Sequence, residues 1–142
     1  MDEQQIGRLS SAIERITRLL RRADLPGELS TVAASTLYTL ATEGPSRLTT
    51  LAEAEHITQP AMTQLVTRLE RDGLVVRASD PLDGRAVLVE ATPEGIALST
   101  ARRAARAEAL ESAIASLSTD DVHDLSQAIS ALERVAAGVP AS

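Results

Sequence analysis

The chain contains no cysteine, no lysine, no tryptophan and no phenylalanine. Without cysteine there is no disulfide framework, no thiolate metal site and no thiol switch. Without lysine there is no Schiff-base chemistry and no P-loop. Tyr38 is the sole aromatic side chain. A platform that stacks single-stranded bases needs several aromatic faces and is excluded. Histidine occurs twice, at His56 and His123, too sparsely for a His-rich metal site. No run of 18 apolar residues occurs, so no membrane-spanning helix is expected. The acidic start Met1-Asp2-Glu3-Gln4-Gln5 is unlike a signal peptide, and the expected location is cytoplasmic.

What is present is a chain of 142 residues, 44% hydrophobic, with 14 arginines and a net charge of −6. That length and composition suit one ordinary folded domain. An acidic balance argues against nucleic-acid binding unless the negative charge is segregated. It is: residues 59–85 carry four arginines (68, 71, 77, 85) and four acids (70, 72, 80, 83), hence zero net charge. Charge farther away than about 8 Å is largely screened at physiological salt.

Apolar spacing organises the chain. Ile6, Leu9, Ile13, Ile16 and Leu20 recur at intervals of 3 and 4, which predicts an amphipathic helix over 4–22, ended by Leu25-Pro26-Gly27. A second helix is expected from Ser30 to Glu43, with Leu29, Val32, Ala33, Leu37 and Leu40 inward and Gly44-Pro45 as its stop. A short helix over 49–55 follows, then a His56-Ile57 connector. Thr58-Gln59-Pro60 reads as a helix start, with Thr58 as N-cap and Pro60 in the first turn. That helix reaches Asp72, buries Met62, Leu65, Val66 and Leu69, and stops at Gly73. Residues 74–79 and 85–91 are β-prone around Asp80-Pro81-Leu82-Asp83-Gly84, a hairpin. Thr92 then caps a long helix to about Leu117, and Ser118 caps a last one with Val122, Leu125, Ile129, Leu132 and Ala136 in phase. Residues 139–142 read as a loose tail.

The expected fold is therefore mainly α with a small β-hairpin wing: a winged helix-turn-helix over 30–91, flanked by helices over 1–29 and 92–142. The flanking helices have little local core to cover. A symmetric dimer is the simplest source of a partner surface.

The solvent face of the 59–72 helix carries Gln59, Ala61, Thr63, Gln64, Thr67, Arg68 and Arg71, and residues 58–68 contain no acid. Gln pairs with adenine, Arg with guanine or phosphate, and Thr and Ala methyls with thymine. Asp83-Gly84-Arg85 at the hairpin tip places an arginine where a minor groove would lie. Asp83 is expected to fix the tip by accepting from turn amides, Arg68 or Arg77. Gly-x-Ser-x-Gly, a Gly-rich phosphate loop and His-Glu-x-x-His are all absent, so no enzymatic activity is expected. His123 beside Asp120, Asp121 and Asp124 is better explained by acids at a helix N-terminus than by a metal site. No cofactor is expected.

The stretch Ile57–Val75, the wing Arg77–Arg85 and the following Thr92-Pro93-Glu94-Gly95 resemble MarR-type regulators, over essentially the whole chain. The resemblance implies one MarR-type domain over 1–142. It also implies a homodimeric regulator of double-stranded DNA at a pseudo-palindromic operator, usually a repressor released by a small ligand. By position, Thr58, Gln59, Pro60, Ala61, Thr63, Gln64, Thr67 and Arg68 would face the major groove. Arg77, Asp83, Gly84 and Arg85 would serve the wing, and Thr49 and Thr50 the phosphates. The chain lacks the cysteines of thiol sensors and the ligand sets of zinc sensors. Arg15, Arg18, Arg22 and Tyr38 are the candidates for an anionic effector. The alternative is a winged-helix interaction module that does not bind DNA.

Overall fold

The computed structural model describes residues 1–24 and 29–138. In chain order the elements are α1 (Glu3–Arg22), α2 (Thr31–Glu43), β1 (Ser46–Arg47), α3 (Leu48–Ala54), α4 (Gln59–Arg71), β2 (Val75–Ser79), β3 (Val87–Ala91), α5 (Pro93–Ile114) and α6 (Thr119–Ala137). The expected stop at residues 25–27 and the tail at 139–142 lie outside the described residues. The chain divides into two compact units. One runs from α2 through β3 into the start of α5; the other holds α1, the rest of α5 and α6.

The first unit has the core. Leu37, Leu40, Leu51, Met62, Val66, Leu69, Val75 and Val89 are all buried, with Leu65 partly buried against them. Of the residues expected inward on α2, Ala33, Leu37 and Leu40 are buried, whereas Leu29 and Val32 are only partly so. Side-chain caps start both long helices here. Ser30 Oγ accepts from the Ala33 amide and Thr58 Oγ1 from the Ala61 amide.

The wing differs from the expected hairpin in one respect: it is part of a three-stranded antiparallel sheet, ordered β1-β3-β2. Val75 pairs with Ala91 and Ser79 with Val87, while Ser46 pairs with Val89. The added strand is two residues long, too short to show alternation in sequence. β3 begins at Val87 rather than residue 85, so Arg85 lies in the turn.

Thr92 joins the sheet to α5. Its amide donates to the Leu74 carbonyl, its hydroxyl donates to the Gly73 carbonyl at 2.6 Å, and Oγ1 accepts from the Gly95 amide. Gly95 is buried, and a Cβ there would collide with the Leu74 carbonyl. The backbone approach at this junction is what requires glycine.

The second unit contrasts sharply. Neither α1 nor α6 has a single buried residue. Ile13 is 46% exposed, Ile16 45%, Leu125 43% and Ile129 54%. Within this unit α1 is tied to α5 by charge. Arg106 grips Asp24 with two hydrogen bonds of 2.8 Å, and Arg102 Nε lies 3.5 Å from the same carboxylate. The Arg106 hydrogen bonds hold the Asp24 carboxyl below the usual carboxylate range, against the opposing effect of burial. α5 stops at Ile114, three residues before the expected end, and Ser118 caps α6 through the Asp121 amide.

Candidate nucleic-acid interface

α3, a tight turn and α4 form the helix-turn-helix. The turn closes with the Ile57 amide donating to the Ala52 carbonyl, and His56 sits there at φ 53°. α4 ends the same way: the Leu74 amide donates to the Leu69 carbonyl around Gly73 at φ 75°. Both are helix ends that use a left-handed residue. Glycine is relaxed in that conformation, and histidine is strained. Nothing in the spacing of the His56-Ile57 connector marks this left-handed backbone.

Met62, Val66 and Leu69 anchor one side of α4 in the core. The other side is presented outward: Thr58, Gln59, Pro60, Ala61, Thr63, Gln64, Thr67 and Arg68 are all exposed. Gln64 and Arg68 also border a groove of about 400 Å³ between α4 and the start of α2. Thr49 and Thr50 are exposed in the first turn of α3, where backbone amides have no helical partner. With His56, Thr58 and Gln59, Thr49 lines an open depression beside the turn.

The wing is built from its acids. Asp80 is 6% exposed. Its carboxylate accepts from the Leu82 amide at 2.9 Å and from Arg47 Nε at 2.8 Å. The Leu82 amide and the Arg47 guanidinium hold this carboxyl below the usual range, although partial burial opposes them. Asp83 accepts from the Arg85 amide at 3.1 Å, not from Arg68 or Arg77. A turn amide two residues away is reached without ordering a long side chain, so the local partner wins. Gly84 and Arg85 are exposed at the tip. Sequence reasoning missed Arg47, because the ion pair joins residues 33 apart through a strand too short to recognise.

Three of the four acids of residues 59–85 are engaged, and the fourth, Asp72, is exposed with Arg71 Nε 4.0 Å away. Glu70 faces Arg77, Asp80 faces Arg47, and Asp83 holds the tip. Arg68 and Arg85 have no ion pair among the described residues. A region of zero formal charge thus presents its positive groups outward, beside the neutral donors and methyls of α4.

The effector candidates divide between the units. Arg15, Arg18 and Arg22 line, with Ile16 and Leu19, an open groove of about 410 Å³ on α1. Tyr38 belongs to the winged unit, on α2, and is 42% exposed.

The profile of the MarR family matches residues 29–87. An HTH-type transcriptional regulator of Mycobacterium tuberculosis is 38% identical over 113 residues, which cover 80% of this chain and 79% of that one. The chain belongs to the MarR family. It is a MarR-type transcriptional regulator with the family's winged-helix fold. RV1404 of Mycobacterium tuberculosis superimposes with a TM-score of 0.85 over 99% of this chain and 97% of its own, at 21% identity. Bordetella bronchiseptica BpsR, whose structure addresses regulation of DNA binding by 6-hydroxynicotinic acid, has a TM-score of 0.67 at 23% identity, over 92% and 99% of the two chains. Within this MarR-type fold the matched stretch contains α4 and most of the wing, the elements whose exposed side chains have just been described.

Proposed function

We propose that this MarR-family chain is a cytoplasmic homodimeric repressor of a pseudo-palindromic DNA operator, released by a small anionic effector. One observation carries the DNA reading: α4 presents an acid-free surface of Thr, Gln and Arg beside a wing whose carboxylates are already occupied. In this reading Thr58, Gln59, Pro60, Ala61, Thr63, Gln64, Thr67 and Arg68 meet base edges in the major groove. Asp83 and Gly84 shape the tip from which Arg85 enters the minor groove, and Thr49 and Thr50 hold phosphate.

Dimerisation follows from the uncovered stripes. Two amphipathic helices without a buried residue leave apolar area in water at roughly 25 cal/mol per Å², and a second copy removes it. Two recognition helices about 34 Å apart then fit successive major grooves. The domain organisation we favour is one MarR-type domain, with 30–91 reading DNA and 1–29 and 92–142 joining the protomers. Occupying a promoter in this way blocks polymerase, which makes repression the expected sense.

For the effector, three guanidinium groups over an aliphatic floor suit an anion. A relative whose DNA binding is regulated by 6-hydroxynicotinic acid supports that class. Tyr38 is retained as a fourth candidate.

The decisive experiment selects bound fragments from the source genome with the purified protein, then measures gel shifts. Arg68→Ala with Arg85→Ala is expected to abolish the shift. Unchanged binding by that double variant would refute the contact surface and favour an interaction module. Aromatic carboxylates added to the complex are expected to release the DNA; indifference to all of them would remove the effector proposal alone.

A further inference from the structure

Arg77 lies on β2, and its sequence position suggests a wing contact to DNA. Its hydrogen bonds point elsewhere. Nη2 donates to Thr67 Oγ1 at 2.8 Å and to the Thr63 carbonyl at 3.2 Å. Nη1 lies 3.8 Å from Glu70 Oε1, and the Arg77 amide donates to Glu70 Oε2 at 3.2 Å. Thr67 Oγ1 in turn donates to the Thr63 carbonyl at 2.8 Å. Both hydrogens of one terminal nitrogen are spent, and the charge is balanced by a carboxylate on the same helix. Three guanidinium N–H groups remain, but their plane is held against α4 by Thr67 and the Thr63 carbonyl, and the charge is offset by Glu70.

We infer that Arg77 is a positioning residue: it fastens the wing strand to α4 and fixes the rotamer of Thr67, so that α4 shows the DNA the Thr67 methyl and not a freely rotating hydroxyl. Arg77 thereby sets base discrimination through Thr67 and contributes no phosphate contact. The Thr67 hydroxyl cannot turn outward without breaking two hydrogen bonds at once. The inference rests on the DNA reading above and adds to it the division of labour between Arg77 and Arg85.

Binding of the full-length protein to its selected duplex and to a duplex mutated opposite Thr67 tests this, over a series of salt concentrations. Arg77→Ala is expected to lower the discrimination between the duplexes about five- to tenfold. It leaves the slope of log Kd against log salt unchanged, whereas Arg85→Ala reduces that slope by about one. Thr67→Ser, which keeps the anchor at Arg77 but has no methyl, reproduces the loss of discrimination. Thr67→Val, which shows a methyl in every rotamer, retains it, and the double variant Arg77→Ala/Thr67→Ser is no worse than either alone. A slope reduced by about one in Arg77→Ala would make Arg77 a phosphate contact, and that result or additive losses in the double variant would overturn the inference. Should Arg77→Ala not fold, the Thr67 pair decides: equal discrimination by the Ser and wild-type proteins overturns the inference. Wild-type protein that selects no duplex overturns the DNA reading itself, and this inference with it.

Discussion

The two units of this chain have similar apolar periodicity and opposite outcomes. In the winged unit, the stripe of α4 is sealed: Met62 and Val66 are fully buried and Leu69 is 2% exposed. In the helical unit, stripes with the same 3-and-4 spacing on α1 and α6 stay open to solvent. The difference lies in what each stripe faces. α4 has α2, α3 and a sheet folded over it from neighbouring sequence, whereas α1 and α6 have amphipathic pattern without a third layer. An amphipathic helix shows that a face must be covered; whether its own chain covers it is a separate matter.

Substitutions can break that comparison. Met62→Ala in the sealed core is expected to destabilise the protein by about 2–5 kcal/mol in urea unfolding at a fixed protein concentration. Gly95→Ala belongs to the same class, since the added methyl meets backbone rather than a flexible side chain. A charge on an open stripe should act differently. Leu125→Asp is expected to leave the winged unit folded by circular dichroism while weakening self-association by about 3 kcal/mol in sedimentation equilibrium. A wild-type chain that sediments as a monomer at micromolar concentration would show that the open stripes have another use. On the DNA face, Arg68→Ala is expected to cost about 1–3 kcal/mol of binding and to relax one base position, read by competition with mutated duplexes.

Acid separates the units in another way, since among the described residues each has a carboxyl held below its ordinary range, Asp80 in one and Asp24 in the other. For such a group the stabilisation is fully present above the unfolded-state pKa and is lost as the pH falls through the lower, folded value. Thermal melts from neutral to strongly acidic pH should therefore show loss of stability below the ordinary carboxylate range. Asp80→Asn is expected to flatten that dependence at the wing, and Asp24→Asn to do so where Arg106 clamps α1 to α5. If neither variant changes the acid limb, these ion pairs have no role in it. The smallest effect belongs to the helix-turn-helix corner. His56→Gly relieves a left-handed histidine but loosens the unfolded chain, and a net gain of about 0.5 kcal/mol is expected.

Much of the site was legible because its signals are local. Thr58, Pro60, Gly73 and Thr92 each act on neighbours a few residues away, and the stripe of α4 identified its solvent face by subtraction. The wing was legible only as a hairpin. β1 is two residues long, and its pairing with β3 spans more than forty residues of chain. The partners of Arg77 were hidden for a related reason: Thr67 lies ten residues away on another element.

Cap residues, turn chemistry and a 3.6-residue period act within one or two turns of chain, so the sequence alone determined the helices, their capped starts and the acid-free surface of α4. Which carboxylate each arginine meets was decided only by tertiary structure. Arg47 with Asp80, Arg77 with Glu70 and Thr67, and Arg106 with Asp24 are pairs brought together by packing. A charge-assisted hydrogen bond depends on a few tenths of an ångström, and no periodicity carries that information.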